Sequence, residues 1–285
     1  MIDQILAGLV SGGVFALLGV CLVVMYQIVG VLSFAQAGIG GLGACAALLL
    51  QNQFGWSTVP AILGGIAAGM LIGALIGWIM ARFFIDASIE TRSTVTIGLL
   101  VTIMAIGNRI LDGKTYRFPD MFSGATIRVG GIGLPVASVV ETVLAIALAL
   151  GIGLFLTRTR AGSQLRAMSQ RPTTAQLLGI PVGRLTVAVW SFASGIATLA
   201  LLFVLPTSTT SFPTLAYMIL GALAAALLGL LRHLLLVAIG GLLIGVVQSL
   251  IIPTPFGNYT DAVPFLIIMV IMVYWRRKDV WSEAR

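Results

Sequence analysis

Few residues in this chain could do chemistry, and their types exclude most of it. Gly113-Lys114-Thr115 reads like the end of a phosphate-binding loop, in which backbone N–H groups and a lysine cradle phosphates. That loop needs a glycine five residues before Gly113, where this chain has Asn108, and no strand leads into it. Any ATP must therefore be handled by another protein. His233 is the sole histidine, and Cys21 and Cys45 sit in apolar runs without metal-ligand spacing, so they read as small packing residues. The nine acidic residues lie mostly in loops, without a carboxylate pair or a base beside a nucleophile. The sequence predicts no catalysis, no metal site and no cofactor bound by this chain.

What remains is recognition rather than reaction. Thr91, Thr94, Gly98 and Thr102 share one helical face, and Ser191, Ser194 and Thr198 share another. Ser33, Gln36 and Gln248 add polar groups inside apolar stretches. Such stripes serve either to hydrogen-bond helices together or to line a path for a small polar or amphipathic solute. On the second reading the path residues are Ser33, Gln36, Thr94, Thr102, Ser191, Ser194, Thr198 and Gln248. A lining with few charges suits a solute that must bind and then leave. Glu141, Arg109 and Asp261 fall near the ends of their apolar runs. Ion-coupled carriers usually keep acidic or histidine side chains deep in the bundle, so their scarcity argues against such a carrier.

The elements that must position these residues follow from composition. The 285 residues are 59% hydrophobic and 9% charged, with mean hydropathy +1.10. A soluble domain carries about 25% charged residues, so this is an integral membrane protein. Apolar runs fall near 5–29, 35–52, 58–81, 93–112, 136–157, 183–206, 214–231, 234–252 and 262–275. Each approaches the roughly 20 residues that cross a bilayer as helix, and the alternation of a membrane β-barrel is absent. The expected fold is an all-α polytopic bundle of eight or nine spans, one domain over residues 1–285. Segment Ser33–Gly38 is either a short turn on the inner side or a break inside the membrane, the latter tolerated only where it is covered by protein or lines a cavity.

Charge sets the orientation. Segments 82–92, 158–184, 232–233 and 276–285 carry 12 of the 16 lysines and arginines and are expected to face the cytoplasm. Segments 113–135, 207–213 and 253–261 are then outside. The net charge of +7 thus reflects membrane topology rather than nucleic-acid binding. Glycines recur every fourth residue at Gly65, Gly69, Gly73 and Gly77, at Gly8 and Gly12, and at Gly241 and Gly245. This spacing lets helices approach closely, within the chain or against a second subunit.

The basic segment 158–184 is the strongest functional signal. It holds five arginines, yet Leu165, Met168, Leu177, Leu178 and Ile180 give it an apolar pattern that must dock on something. Pro172 permits helix only in two pieces or as a first-turn residue. Gly179, followed by Pro181, is a natural helix stop.

Three stretches carry a resemblance. Gly8-Leu9-Val10-Ser11-Gly12-Gly13-Val14-Phe15-Ala16-Leu17 is followed by Met25-Tyr26-Gln27-Ile28-Val29-Gly30-Val31-Leu32-Ser33-Phe34-Ala35-Gln36. Leu165-Arg166-Ala167 precedes Ala175-Gln176-Leu177-Leu178-Gly179-Ile180, and the spans continue in order to Trp275-Arg276-Arg277. Over nearly its whole length the chain resembles the permease of branched-chain amino acid ABC transporters (LivH/LivM type). It departs from that family's Gly-Gly-x-Gly-Ser-x-Pro-Gly turn at Gly229-Leu230-Leu231-Arg232-His233, and it has Gln36-Ala37-Gly38 where many members have His-Gly-acidic.

The resemblance implies a multi-pass subunit of a bacterial-type cytoplasmic (inner) membrane, working with a second permease, homologous or identical. Two cytoplasmic ATPase subunits would carry ATP and magnesium, and an extracytoplasmic solute-binding protein would deliver a branched-chain or other hydrophobic amino acid or a related small solute. The loop at about 158–182 would couple to the ATPase through Leu165, Arg166, Ala175, Gln176, Leu177, Leu178 and Gly179. The alternatives are an ATP-independent carrier or channel and a non-transporting membrane scaffold.

Overall fold

The computed structural model describes residues 2–85, 87–111, 125–129, 132–204 and 212–283. Its helices are α1 (Ile2–Val29), α2 (Gln36–Asn52), α3 (Thr58–Phe83), α4 (Ile89–Ile110), α5 (Val136–Arg158), α6 (Arg160–Gln170), α7 (Pro172–Leu177), α8 (Val182–Val204), α9 (Phe212–Leu228), α10 (Leu234–Ile251) and α11 (Val263–Glu283), with a 3-10 turn at Gly257–Ala262. A hairpin of β1 (Thr126–Val129) and β2 (Ile132–Pro135), paired from Thr126 with Pro135 to Val129 with Ile132, leads into α5. Residues 112–124, 130–131 and 205–211 lie outside the described residues. They include Gly113-Lys114-Thr115 and much of the two expected outer loops.

The protein is a multi-pass bundle of membrane-spanning helices. By length and composition, seven described helical segments could cross a membrane: α1, α3, α4, α5, α8, α10 and Gly257–Tyr274. The spans expected at 35–52 and 214–231 correspond to α2 and α9, each 17 residues long. Helix α1 is the axis of the bundle, contacting α5, α8, α9 and α10. It is apolar all round, and Val14, Ala16, Leu17, Leu18, Val20, Leu22, Val23 and Met25 are fully enclosed, as expected for a helix with no polar face.

The glycine ladders are consumed inside the chain. A Cβ on Gly8 would lie 2.7 Å from Gly245 O, and one on Gly12 would lie 2.8 Å from Leu242 Cα. Helices α1 and α10 therefore touch backbone to backbone, which small residues permit. Helix α3 likewise lays Gly69, Gly73 and Gly77 on Thr198, Ser194 and Trp190 of α8. The opposite faces are apolar and outward: Leu63, Leu71 and Leu75 of α3, Leu150 and Leu154 of α5, Leu243 of α10 and Met269 of α11 are all more than half exposed on the isolated chain. That pattern suits lipid or a neighbouring subunit.

Candidate translocation path and coupling loop

Helix α1 stops at Gly30, which takes a left-handed backbone (φ +68°) that favours glycine. Residues 30–35 are non-helical before α2 begins. This break is built against α4. Arg92 donates to Val29 O at 3.0 Å and to Ile85 O at 2.5 Å, placing a cation at the negative end of α1. Leu32 N donates to Ser93 Oγ (3.3 Å) and Phe34 N to Thr96 Oγ1 (3.0 Å). The Thr96 hydroxyl lies 3.2 Å from Leu32 O and 2.7 Å from Ser93 O. Side chains of α4 thus supply the hydrogen bonds that helix would have supplied.

The break climbs into the bundle. It starts beside Arg92, passes Thr96, and brings Gly38 against Leu100 and Ile103. Thr96 and Ile103 stand 7 and 14 residues into α4, or about 10 and 21 Å at 1.5 Å per residue. Of the two expectations for Ser33–Gly38, the structure takes the break at depth, covered by protein. Ser33 and Gln36 meet here, both fully buried. Ser33 Oγ and both amide atoms of Gln36 have no hydrogen-bond partner among the described residues.

The other expected path residues do not join them. Ser194 and Thr198 are fully buried on the α8 face under α3. Thr198 Oγ1 donates to Ser194 O at 2.9 Å, while Ser194 Oγ, beside Gly73, has no partner among the described residues. Ser191 is half-buried on the same helix. Thr94 and Thr102 are exposed, each turning its hydroxyl back to its own helix, to Glu90 O (2.8 Å) and Gly98 O (3.0 Å). Gln248 lies elsewhere. Its amide donates to Thr260 O at 3.3 Å and lines a cavity of about 570 Å³ with Ser11, Tyr217, Ser249, Thr260 and Asp261.

The basic loop folds as two helices broken at Arg171, with Pro172 in the first turn of α7, where its missing N–H costs nothing. Thr159 caps α6 by accepting from Gly162 N at 2.9 Å. Gly162 presses on Phe155 and Leu156 of α5, where a side chain would collide with backbone. Gly162, Leu165 and Met168 form the buried face of α6. Helix α7 ends in a Schellman turn: Ile180 N donates to Ala175 O (3.0 Å) and Gly179 N to Gln176 O (2.9 Å), with Gly179 at φ +80°.

This geometry divides the expected coupling residues and corrects two of them. Leu165 and Ala175 are 7% and 3% exposed. The apolar pattern that had to dock on something docks them on this chain's own core, so they anchor the loop and are not available to a partner. Arg166, Gln176, Leu177, Leu178 and Gly179 face outward, with Leu177 88% and Leu178 75% exposed. Behind the anchor a cavity of about 210 Å³ joins Met168 and Pro172 of the loop to Gly30, Val31 and Arg92 at the start of the break.

Residues 4–272 match the family model described as branched-chain amino acid transport system / permease component. The chain belongs to this permease family. Among curated relatives, the permease is 22% identical over 211 residues to the high-affinity branched-chain amino acid transport system permease protein BraD of Pseudomonas aeruginosa, covering 70% of this chain and 69% of BraD. It is 28% identical over 197 residues to the probable branched-chain amino acid transport permease protein LivH of Methanocaldococcus jannaschii, covering 67% and 62%. It is 25% identical over 219 residues to the fructose import permease protein FrcC of Rhizobium meliloti, covering 70% and 59%. The permease thus spans less than two thirds of the latter two.

Sequence reasoning missed the residues that hold this permease's break. Thr96 and Ser93 stand beside the Thr91–Thr102 stripe but on the inward face of α4. The inward face of α4 buries only Thr96, Ile103 and Gly107, so periodicity alone pointed to the outward threonines. Glu141 stands near the start of α5, as expected of a residue near a span end, and is fully buried against Gly13 of α1.

Proposed function

We propose that this permease is the translocating subunit of an ATP-driven importer. It pairs with a second permease, homologous or identical, in a cytoplasmic membrane of bacterial type. Two ATPase subunits, which carry ATP and magnesium, dock on the 158–182 loop, and a solute-binding protein delivers cargo on the far side. The observation that carries this reading is the exposed Leu177-Leu178-Gly179 tip on a loop whose Leu165, Met168 and Ala175 are buried. Two adjacent leucines held in water by a rigid turn cost solvation and fit an apolar groove on a soluble partner.

Force applied at that tip travels through α6, whose Met168 Sδ lies 4.0 Å from Thr186 Oγ1 of α8. It also reaches the end of α1 and the break, which share a cavity with Met168 and Pro172. The outward Thr94 and Thr102 face the second permease and line the path with it. Arg166 and Gln176 supply polar contacts at the rim of the ATPase interface. The cargo is a small amino acid of the branched-chain or hydrophobic class, in keeping with BraD and LivH.

The test is Gly179→Leu in the assembled importer. The left-handed backbone at Gly179 disfavours a side chain and the turn loses its shape, while the spans are untouched. ATP hydrolysis should continue with uptake lost. Uptake at the wild-type rate would remove the docking role.

A further inference from the structure

Helix α2 begins at depth with its donors unclaimed. Its N-cap position is Ala35, which has no side-chain acceptor. Serine, threonine, aspartate or asparagine would normally satisfy an N–H group there. Gln36 N reaches Ser33 O at 3.4 Å and Ile39 N reaches Ala35 O at 2.9 Å. Between them, the N–H groups of Ala37 and Gly38 have no acceptor among the described residues. Both residues are buried. A buried helix start with open donors is filled by water or by a ligand.

A second observation is independent of the helix end. The Ser33 hydroxyl and the Gln36 amide, both fully enclosed, lie at this same start without partners among the described residues. Burying a polar group unpaired costs stability, and a folded chain keeps few such groups without a use. Together these residues offer donors from two backbone N–H groups, one hydroxyl and one amide, at the positive end of a 17-residue helix. No basic side chain is needed for that arrangement to favour an anion.

We infer that the start of α2 is a binding site for the carboxylate of the transported solute, received by Ala37 N–H, Gly38 N–H, Ser33 Oγ and Gln36 Nε2. This inference rests on the importer reading and adds the place in the fold that receives the cargo's carboxylate. Carboxylate on a broken helix at depth is a known physical solution for anionic solutes in membranes. Gly38 leaves the backbone bare for close approach. The atoms nearest to where its side chain would stand are Ile103 Cγ2 (3.0 Å) and Leu100 Cδ1 (3.3 Å) of α4. These are flexible ends of apolar side chains, which must give way when the solute enters. Helix α4 also holds the break through Ser93 and Thr96, which ties opening of the site to movement of the loop side of the bundle.

The experiment is uptake into liposomes by the complete importer, purified with its ATPase, second permease and binding protein. Radiolabelled leucine, leucinamide and fructose are compared in wild type, Ser33→Ala and Gln36→Met. Wild type should take up leucine with ATP and leucinamide at less than about a tenth of that rate. Gln36→Met should raise the leucine KM at least about tenfold, and Ser33→Ala should raise it severalfold. Gln36→Met should also melt no lower than wild type, because it removes unpaired buried atoms. A purely structural Gln36 would leave KM unchanged. ATP-driven uptake of leucinamide or fructose equal to that of leucine, or an unchanged KM in Gln36→Met, overturns the carboxylate site and leaves the importer standing. Uptake of any of the three solutes that ignores ATP overturns both.

Discussion

The Gln27 side-chain amide nitrogen lies 2.9 Å from the carbonyl oxygen of Leu231, and equally close to that of Arg232. The end of α1 thereby holds the turn between α9 and α10. Leu230 and Leu231 both take left-handed backbone there, at φ 58° and 54°, where the resembling family has a glycine-rich turn. A left-handed conformation costs a side-chain-bearing residue about 1–2 kcal/mol. Leu230 is 45% exposed, so its replacement by glycine gives up about half of a leucine's burial and adds glycine's entropic cost, which offset the strain relieved. Leu230→Gly should therefore stay within about 1 kcal/mol of wild type in thermal unfolding of the detergent-solubilised chain, whereas an unstrained half-buried leucine would lose more. Gln27→Ala should destabilise it by about 1–3 kcal/mol, because two carbonyls lose their donor.

The α3–α8 contact predicts a contrast among glycines. A Cβ on Gly69 would fall on Thr198 Oγ1, so Gly69→Ala should cost about 1–3 kcal/mol through overpacking. Adding Thr198→Ala should recover part of that loss, which a double-mutant cycle of melting measurements would reveal. Gly98, on the outward face of α4, has nothing within 4 Å of such an atom. Gly98→Ala should be neutral or stabilising by up to about 1 kcal/mol through helix propensity.

The loop predicts opposite outcomes for its leucines. Leu177→Ser with Leu178→Ser should leave melting unchanged and abolish co-purification of the ATPase. Leu165→Ala removes a buried side chain and should cost about 2–4 kcal/mol, with docking retained by the protein that remains folded. Loss of docking only in Leu165→Ala would place the interface on the wrong face of α6.

The order of spans was legible because runs such as 58–81 and 234–252 are apolar enough to need no tertiary information, and the helices start and stop within a few residues of them. Pro172 and Gly179 announced the two-piece loop because each restricts the backbone locally. Which face of a helix turns inward was not legible. Thr94 and Thr96 sit two residues apart, both are threonine, and only the break beside α4 decides that Thr96 is buried. Leu165 and Leu177 are equally apolar in sequence, yet one is covered by the packing of α6 and the other is left 88% exposed among the described residues. Ser194 and Thr198 read as a polar stripe, and their neighbours Gly73 and Gly69 come from a helix more than a hundred residues earlier.

The central claim is that this permease moves solute under the drive of a docked ATPase. Its most direct measurement is purification of the tagged chain from native membranes, identification of what comes with it, and uptake by that complex in liposomes with and without ATP. Recovery of an ATPase and a second permease, with uptake that requires ATP, is the predicted result. Recovery of the folded chain alone, moving solute without ATP, would contradict the account and mark the protein as a carrier or channel.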